Sequence, residues 1–173
     1  MKRSGSRVGT HTQQERERGH KSGYDEDTKL IKKVGIENLE EVAKLAVLMW
    51  NENTVQELMD EFSDIVLIGN VQFFLKYDQD MPVGFAQCQL RYDYVEGTDT
   101  SPVGYLEGIF IMEEYRQKGY AKELLSECEK WAKQKGCKEF ASDCEIDNES
   151  SFGFHMASGF EEANRIICFT KKL

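Results

Sequence analysis

Long apolar runs are missing from this chain. The longest, residues 45–50 (LAVLMW), has six residues, far short of the roughly 20 that a membrane-spanning helix needs. No stretch combines a basic start with an apolar centre, so neither a secretory signal nor a membrane anchor is expected. Internal repeats and coiled-coil heptads are absent too. The five cysteines (Cys88, Cys128, Cys137, Cys144, Cys168) are odd in number and show no C-x-x-C spacing. Reduced, structural thiols in a cytoplasm fit that pattern better than a disulfide framework. Histidine is also scarce: His11 and His20 lie in a polar leader and His155 stands alone, so no zinc site is read and no metal is expected.

Basic charge runs short as well. From residue 34 onward there are 13 Lys and Arg against 26 Asp and Glu, a net of −13, while the 33 residues before it carry +4. So acidic a region argues against nucleic acid as a partner. It is ordinary for solubility, and it also suits a cationic partner, whose local concentration and arrival rate an acidic surface raises. Residues 1–29 have almost no apolar residues and no period; they are expected to form a flexible polar tail, either a biological arm or an expression leader. Residues 30–173 are long enough, and at 40% hydrophobic content for the whole chain apolar enough, for one domain with a real core.

Within that domain the period of the apolar residues changes along the chain. Residues 30–35 suggest a first strand. Asn38 is placed as a helix N-cap, with Glu40 and Glu41 in the first turn and apolar residues at helical spacing up to Trp50. Thr54 and Glu57 form a capping-box pair opening a second helix to about Ile68. Alternation at 71–77 and 82–94 predicts two strands, and the turn-rich VEGTDTSP leads to a third at 103–112. A helix follows over 116–135, then a strand at 137–143, a short helix at 148–158 and a last strand at 163–171. The order β-α-α-β-β-β-α-β-α-β predicts an α/β (α+β) fold: a mixed, mostly antiparallel sheet with helices on both faces.

The chemistry concentrates where the strand 103–112 runs into Arg116-Gln117-Lys118-Gly119-Tyr120-Ala121. In such sheets ligands sit beyond the carboxyl ends of strands, and a helix N-terminus there takes anions. Gly119 lets backbone approach a phosphate closely, and Arg116, Lys118 and Lys122 cluster around it in an otherwise acidic chain. An ordinary helix start with solvated basic side chains is the bland alternative.

The spacing R-x-x-G-x-A after a strand resembles the acetyl-CoA pyrophosphate loop of the GNAT N-acetyltransferases. About thirty residues on, Asn148-x-x-Ser151-x-x-Phe154-His155-x-x-x-Gly159-Phe160 resembles a second element of that superfamily. The segments RYDYVEGTDTSPVGYLEGIFI, WAKQ, EFASD, DN, GF and FTKKL are similar to the short, single-domain aminoglycoside 6'-N-acetyltransferases. The likeness spans about residues 30–173. It implies the GNAT fold, with a splayed strand pair binding acetyl-CoA as co-substrate. It also implies a cationic aminoglycoside antibiotic as acceptor, direct attack in a ternary complex, antibiotic resistance as the effect and, commonly in the family, a homodimer.

The resemblance also assigns residues. Ile109, Phe110 and Ile111 match the segment whose backbone pairs with the pantetheine arm, and residues 116–121 match the phosphate loop. Glu107, an acid inside an apolar strand, and Asp143, at the end of another, match acceptor-binding acids; a structural salt bridge is the other reading of Glu107. Trp50 and Tyr94 match acceptor contacts. Asn148 matches a residue touching the cofactor arm, or caps its helix. His155 stands where a tyrosine often protonates the departing thiolate, or is structural. The pattern departs at Asn164, where relatives can carry a further acid, and at Cys168, where they can carry an aromatic. Two other readings remain: a GNAT acting on a polyamine or protein amine, and a non-catalytic acetyl-CoA sensor.

Overall fold

The structure is a computed structural model and describes residues 30–173; the tail expected at 1–29 lies outside the described residues. Five strands form one sheet in the order β1-β2-β3-β4-β5. They are β1 (Ile31–Lys33), β2 (Val71–Asp78), β3 (Met81–Arg91), β4 (Val103–Ile111) and β5 (Phe140–Ser142). The first four are antiparallel neighbours and β5 runs parallel to β4. The crossover between β4 and β5 is helix α3 (Tyr120–Gln134), as the strand–helix–strand pattern predicts.

Alternation along the strands sorts the side chains onto two faces. Phe73, Leu75, Tyr77 and Phe85 pack with α1 (Leu39–Ala46) and α2 (Val55–Ile68) through Leu39, Val42, Leu45, Leu58 and Phe62. On the other face Phe74, Ala86, Cys88 and Leu90 meet Leu124, Leu125, Cys128 and Trp131 of α3. Phe154 of α4 (Glu149–Ala157) packs against this second cluster. Cys88 and Cys128 are fully buried there, and burial followed by Cys88 itself keeps the Cys128 thiol well above its usual range. All five cysteines are free. Among the described residues no helix is long and apolar enough to cross a membrane.

Local rules explain most boundaries. The capping box forms as expected: Glu57 N–H donates to Thr54 Oγ1 at 3.2 Å and Thr54 N–H to Glu57 Oε2 at 2.8 Å. Asn38 stands at the N-cap of α1 but makes no capping bond, because it leaves a 3-10 turn (Ile36–Asn38) rather than extended chain. α1 stops at Ala46, four residues before the expected end, and the chain reaches Trp50 through tight turns. α3 starts at Tyr120, not 116, because Gln117 (φ 62°) and Gly119 (φ 85°) are left-handed and cannot extend the helix backwards. β3 ends at Arg91, so Tyr94 sits in a loop.

One expected element is not formed. Residues 161–173 carry no regular structure, and Ile166, Ile167 and Phe169 are exposed. A strand exists only through a ladder partner, and among the described residues none pairs with this segment; its described anchors are side-chain bonds such as Asn164 Nδ2 to Glu96 Oε1 at 3.1 Å. β5 therefore remains an edge of the sheet.

Two buried polar contacts fix helices to the sheet. Tyr77 donates its hydroxyl to Glu41 of α1, and burial followed by that bond pushes the phenol up to about 12. Lys76, fully buried on the opposite face of β2, pairs with Glu123 in the first turn of α3 at 2.7 Å and lies 4.4 Å from the centre of the Tyr120 ring. Such a pair adds little net stability, but it specifies where the N-terminus of α3 sits.

Phe62 is 1% exposed and its ring contacts both Phe73 and Trp50, at centroid separations of 4.7 and 6.3 Å. Phe62→Ala is expected to destabilise the fold by about 3–5 kcal/mol, read by denaturant unfolding. A loss within about 0.5 kcal/mol, the range of surface substitutions, would show that α2 does not pack on the sheet as described.

Candidate active site

The site begins with an irregularity in β4. Gln87 of β3 pairs with Gly108, and the next residue, Cys88, pairs with Leu106, so Glu107 has no partner across the ladder. This is a β-bulge, which kinks a strand and re-aims a side chain. Its effect is visible in the packing: Leu106 before the bulge and Ile109 and Ile111 after it all join the α3-side cluster, a switch of phase that regular alternation forbids. Gly108 comes so close to the end of the α1 segment that an added Cβ would meet Met49 and Trp50 atoms at 3.1 Å. Trp50 thus serves two ends: it packs on Phe62 and Phe85, and its ring edge walls the bulge.

Glu107 is half-buried and ion-paired. Arg91, the last residue of β3, donates to Oε1 from Nε at 3.0 Å and from Nη2 at 2.8 Å, and from Nη2 to Oε2 at 2.9 Å. The guanidinium carbon stands 3.3 Å from the centre of the Tyr105 ring, a stacking that suits its planar cation. Tyr105 in turn donates its hydroxyl to Asp143, directly after β5. Burial, then the Asp143 bond, pushes the Tyr105 phenol well up, so it remains a donor. The two acids singled out from the sequence are therefore joined in one chain, Glu107–Arg91–Tyr105–Asp143.

Beside the bulge the sheet opens. β4 and β5 pair only from Gly104 to Leu106, against Phe140 to Ser142. Past Leu106 the backbone of Ile109–Phe110–Ile111 is bonded to β3 on one side and, among the described residues, has no strand on the other. At the apex of this opening Ser142 Oγ lies 3.1 Å from the Leu106 carbonyl and 2.9 Å from His155 Nε2. His155 Nδ1 lies 2.7 Å from the Ser151 carbonyl, an acceptor only, so Nδ1 carries a proton. Both ring nitrogens are engaged, and the ring stacks edge-on against Phe154 and Phe160.

Beyond the opening lies the 116–121 loop. The first helical bond of α3 runs from Glu123 N–H to the Gly119 carbonyl, so the amides of Tyr120, Ala121 and Lys122 precede the ladder. A Cβ on Gly119 would meet nothing within 4 Å, which makes its φ of 85°, rather than crowding, the reason for glycine. The three cations are less free than the sequence suggests. Arg116 Nε donates to the Ile111 carbonyl at 3.0 Å, Lys118 faces Asp78 at 3.5 Å, and Lys122 donates to the Ala157 carbonyl at 2.7 Å. Tyr120 also donates to Asp78, at 3.1 Å, so the loop is tied to the end of β2.

Comparison with known proteins completes the picture. Residues 39–160 match the model of the acetyltransferase (GNAT) family. The chain belongs to the GNAT family. It is 39% identical over 129 residues to an aminoglycoside N(6')-acetyltransferase type 1 from Acinetobacter baumannii, covering 75% of this chain and 88% of that one. To the same-named protein of Salmonella enteritidis it is 34% identical over 142 residues, covering 82% and 98%. Among solved structures, aminoglycoside N-acetyltransferase AAC(6')-Iy in complex with CoA superposes with a TM-score of 0.81 at 34% identity, over 84% of this chain and 95% of that one. The same enzyme with a CoA–acetylneamine bisubstrate analogue gives 0.80 at 34% identity, over 84% and 99%.

In this GNAT domain, then, Glu107 and Asp143 are joined through Arg91 and Tyr105, and Trp50 lies against Gly108 beside Glu107. The chain runs from 109–111 through a 3-10 turn (Glu113–Tyr115) into 116–121. Tyr94 does not join them by any described contact: it is 81% exposed and donates to Glu96 at 2.6 Å. Asn148 makes the capping bond, accepting from Ser151 N–H at 3.0 Å. Sequence reading missed Arg91, Tyr105 and Ser142. The alternation 103, 105, 107 was the available signal for Tyr105; nothing in one sequence marks the partner of an arginine at a strand end.

Gly119→Val places a β-branched residue in the left-handed region, at a cost of roughly 1–2 kcal/mol to that conformation. CoA affinity measured by calorimetry is expected to fall at least about tenfold, because 1.4 kcal/mol is a factor of ten. Unchanged affinity would remove the loop from the cofactor site.

Proposed function

We propose that this protein is an acetyl-CoA-dependent aminoglycoside 6'-N-acetyltransferase that confers antibiotic resistance, the amine attacking the thioester directly in a ternary complex. The observation that carries the reading is the bulge, which takes Glu107 out of the ladder, next to the Gly108 that Trp50 walls, where β4 and β5 part. The curated relatives bearing this name, at 32–41% identity, support the acceptor class.

Amide formation needs a neutral amine, a polarised thioester carbonyl, a protonated leaving thiolate and close placement of both substrates. The amides at the start of α3 suit the pyrophosphate and the unpaired edge of Ile109–Ile111 suits the pantetheine arm, one backbone N–H there facing the acetyl oxygen. Glu107 and Asp143 hold the cationic sugar, with Trp50 as an apolar wall and Tyr94 at the mouth. The amine nitrogen forms the C–N bond as the C–S bond breaks, the amine proton leaves past Glu107 to water, and the thiolate takes a proton. His155, bonded to Ser142 at the apex of the opening, supplies that proton when its ring carries one on both nitrogens. No cysteine is needed as an acyl carrier.

The same reading places the enzyme in a cytoplasm, which the unpaired cysteines support. It also makes the enzyme a homodimer. Ile166, Ile167 and Phe169 are exposed on a segment whose alternation suits a strand, and β5 offers an open edge to a second copy.

Thiol release from acetyl-CoA is expected with kanamycin or tobramycin, with one acetyl group on the 6'-amine by mass analysis and none on derivatives with a hydroxyl there. Turnover with spermidine or a lysine peptide alone would replace the acceptor, and binding of acetyl-CoA without turnover would point to a sensor. Glu107→Ala is expected to lower kcat/KM about 100-fold, some 2.7 kcal/mol, with acetyl-CoA affinity unchanged. For the assembly, light scattering should give twice the chain mass for the unmodified protein and the chain mass for Ile167→Asp. A monomeric unmodified protein removes the dimer.

A further inference from the structure

Glu107 meets its substrate as half of an ion pair, and that changes what it can do. A carboxylate offers about four lone-pair positions. Arg91 fills two on Oε1 and one on Oε2, so one acceptor position remains, on Oε2. The Tyr105 ring backs the guanidinium 3.3 Å away, which fixes the fork and with it the plane of the carboxylate.

We propose that Arg91 is a positioning residue that cancels the charge of Glu107 and leaves it a single directed acceptor, so that the site takes the reacting amine in its neutral, nucleophilic form. The physical case is direct. A bare carboxylate stabilises the ammonium and so opposes the loss of the proton that attack requires. A guanidinium within a few ångströms has the opposite effect on a neighbouring ammonium. The pair therefore keeps the hydrogen bond that orients the nitrogen and removes most of the field that would hold its third proton. The proton goes to solvent and the freed lone pair attacks the thioester. Affinity for a polycation then comes from carboxylates away from the reacting nitrogen, in a domain whose net charge is −13 from residue 34 onward.

The surroundings allow Arg91 this influence. From β4 the pair faces Tyr105, held as a neutral phenol, and beyond it Asp143 after β5. From α4, His155 bonds Ser142, which donates to the carbonyl of Leu106, the neighbour of Glu107 in β4. The end of the α1 segment brings the uncharged Met49 and Trp50 closest to Gly108. Arg91 and Glu107 side chains are 36% and 21% exposed, so solvent screens the pair in part.

The inference rests on the acceptor reading above, and its test separates the two. Single-turnover acetylation of one aminoglycoside is followed from pH 6 to 9.5 with both substrates saturating, for the unmodified enzyme, Arg91→Met, Arg91→Gln and Arg91→Lys. Arg91→Met and Arg91→Gln are expected to move the rising limb of the rate about one pH unit higher. The loss is then about tenfold at neutral pH and absent at the alkaline plateau, with KM for the acceptor unchanged or lower. Arg91→Lys keeps the charge and should restore the limb. A loss equal at every pH, or a limb that shifts for Lys as much as for Gln, would make Arg91 merely structural. The Gln variant retains a donor, which guards against a collapse specific to Met. An unmodified enzyme inactive on every aminoglycoside overturns the acceptor reading and this inference with it; an active one with unmoved limbs in Met and Gln overturns this inference alone.

Discussion

One residue too many in β4 governs the rest of the site. Glu107 opposes nothing on β3, and the bulge does three things at once. It turns a carboxylate out of the ladder, it reverses which side chains of Ile109–Ile111 face α3, and it bends β4 away from β5 so that the parallel pairing ends at Leu106 and Ser142. A regular strand would have buried Glu107 without a partner, or continued the ladder and closed the opening. The acid proposed to meet the acceptor and the edge proposed to take the cofactor are thus consequences of the same kink.

The kink needs support on both sides, and the core provides it. On the α1 side Trp50 sits on Phe62 and Phe85, so the wall over Gly108 is held by the α2 core rather than by the loop that carries it. On the α3 side the buried Lys76–Glu123 pair and the Asp78 contacts to Lys118 and Tyr120 set where the helix N-terminus points. These contacts also temper the electrostatic picture of the 116–121 loop. Its cations are largely committed within the chain, so backbone amides and the helix dipole carry more of an anion's attraction than the side-chain count suggests.

How legible was this from the chain of residues alone? Elements whose signals are local were clear: the Thr54–Glu57 box, the period-two runs of β2 and β3, and Gly119 before an amphipathic helix. Boundaries failed where a backbone angle decided them, as at Gln117, whose left-handed φ no residue preference announces. The last strand failed for another reason. The alternation at 163–171 describes a segment fit for a sheet, but a ladder partner is not a property of the segment, and among the described residues none pairs with it. Glu107 was legible as an acid inside an apolar strand, and Asp143 only through the family resemblance. That they share a chain of contacts through Arg91 and Tyr105 was not, because Arg91 is sixteen residues from Glu107 and meets it only once the β3–β4 register is set.

That register resolves an apparent conflict in the site. A polycationic acceptor is drawn by negative charge, yet the atom that reacts must lose a positive one. If the attraction were uniform, the carboxylate nearest the nitrogen would oppose the chemistry it serves, binding the ground state as well as it assists the attack. Separating the two tasks in space removes the conflict. The acidic surface gathers the cation at a distance, where screening is partial and geometry loose. At the bulge the carboxylate is already neutralised by an arginine that cannot lose its proton, so what remains is direction rather than charge. An Arg at the end of β3 is the residue for this because its fork matches a carboxylate face while its plane lies on Tyr105, whose own hydroxyl is committed to the second acid.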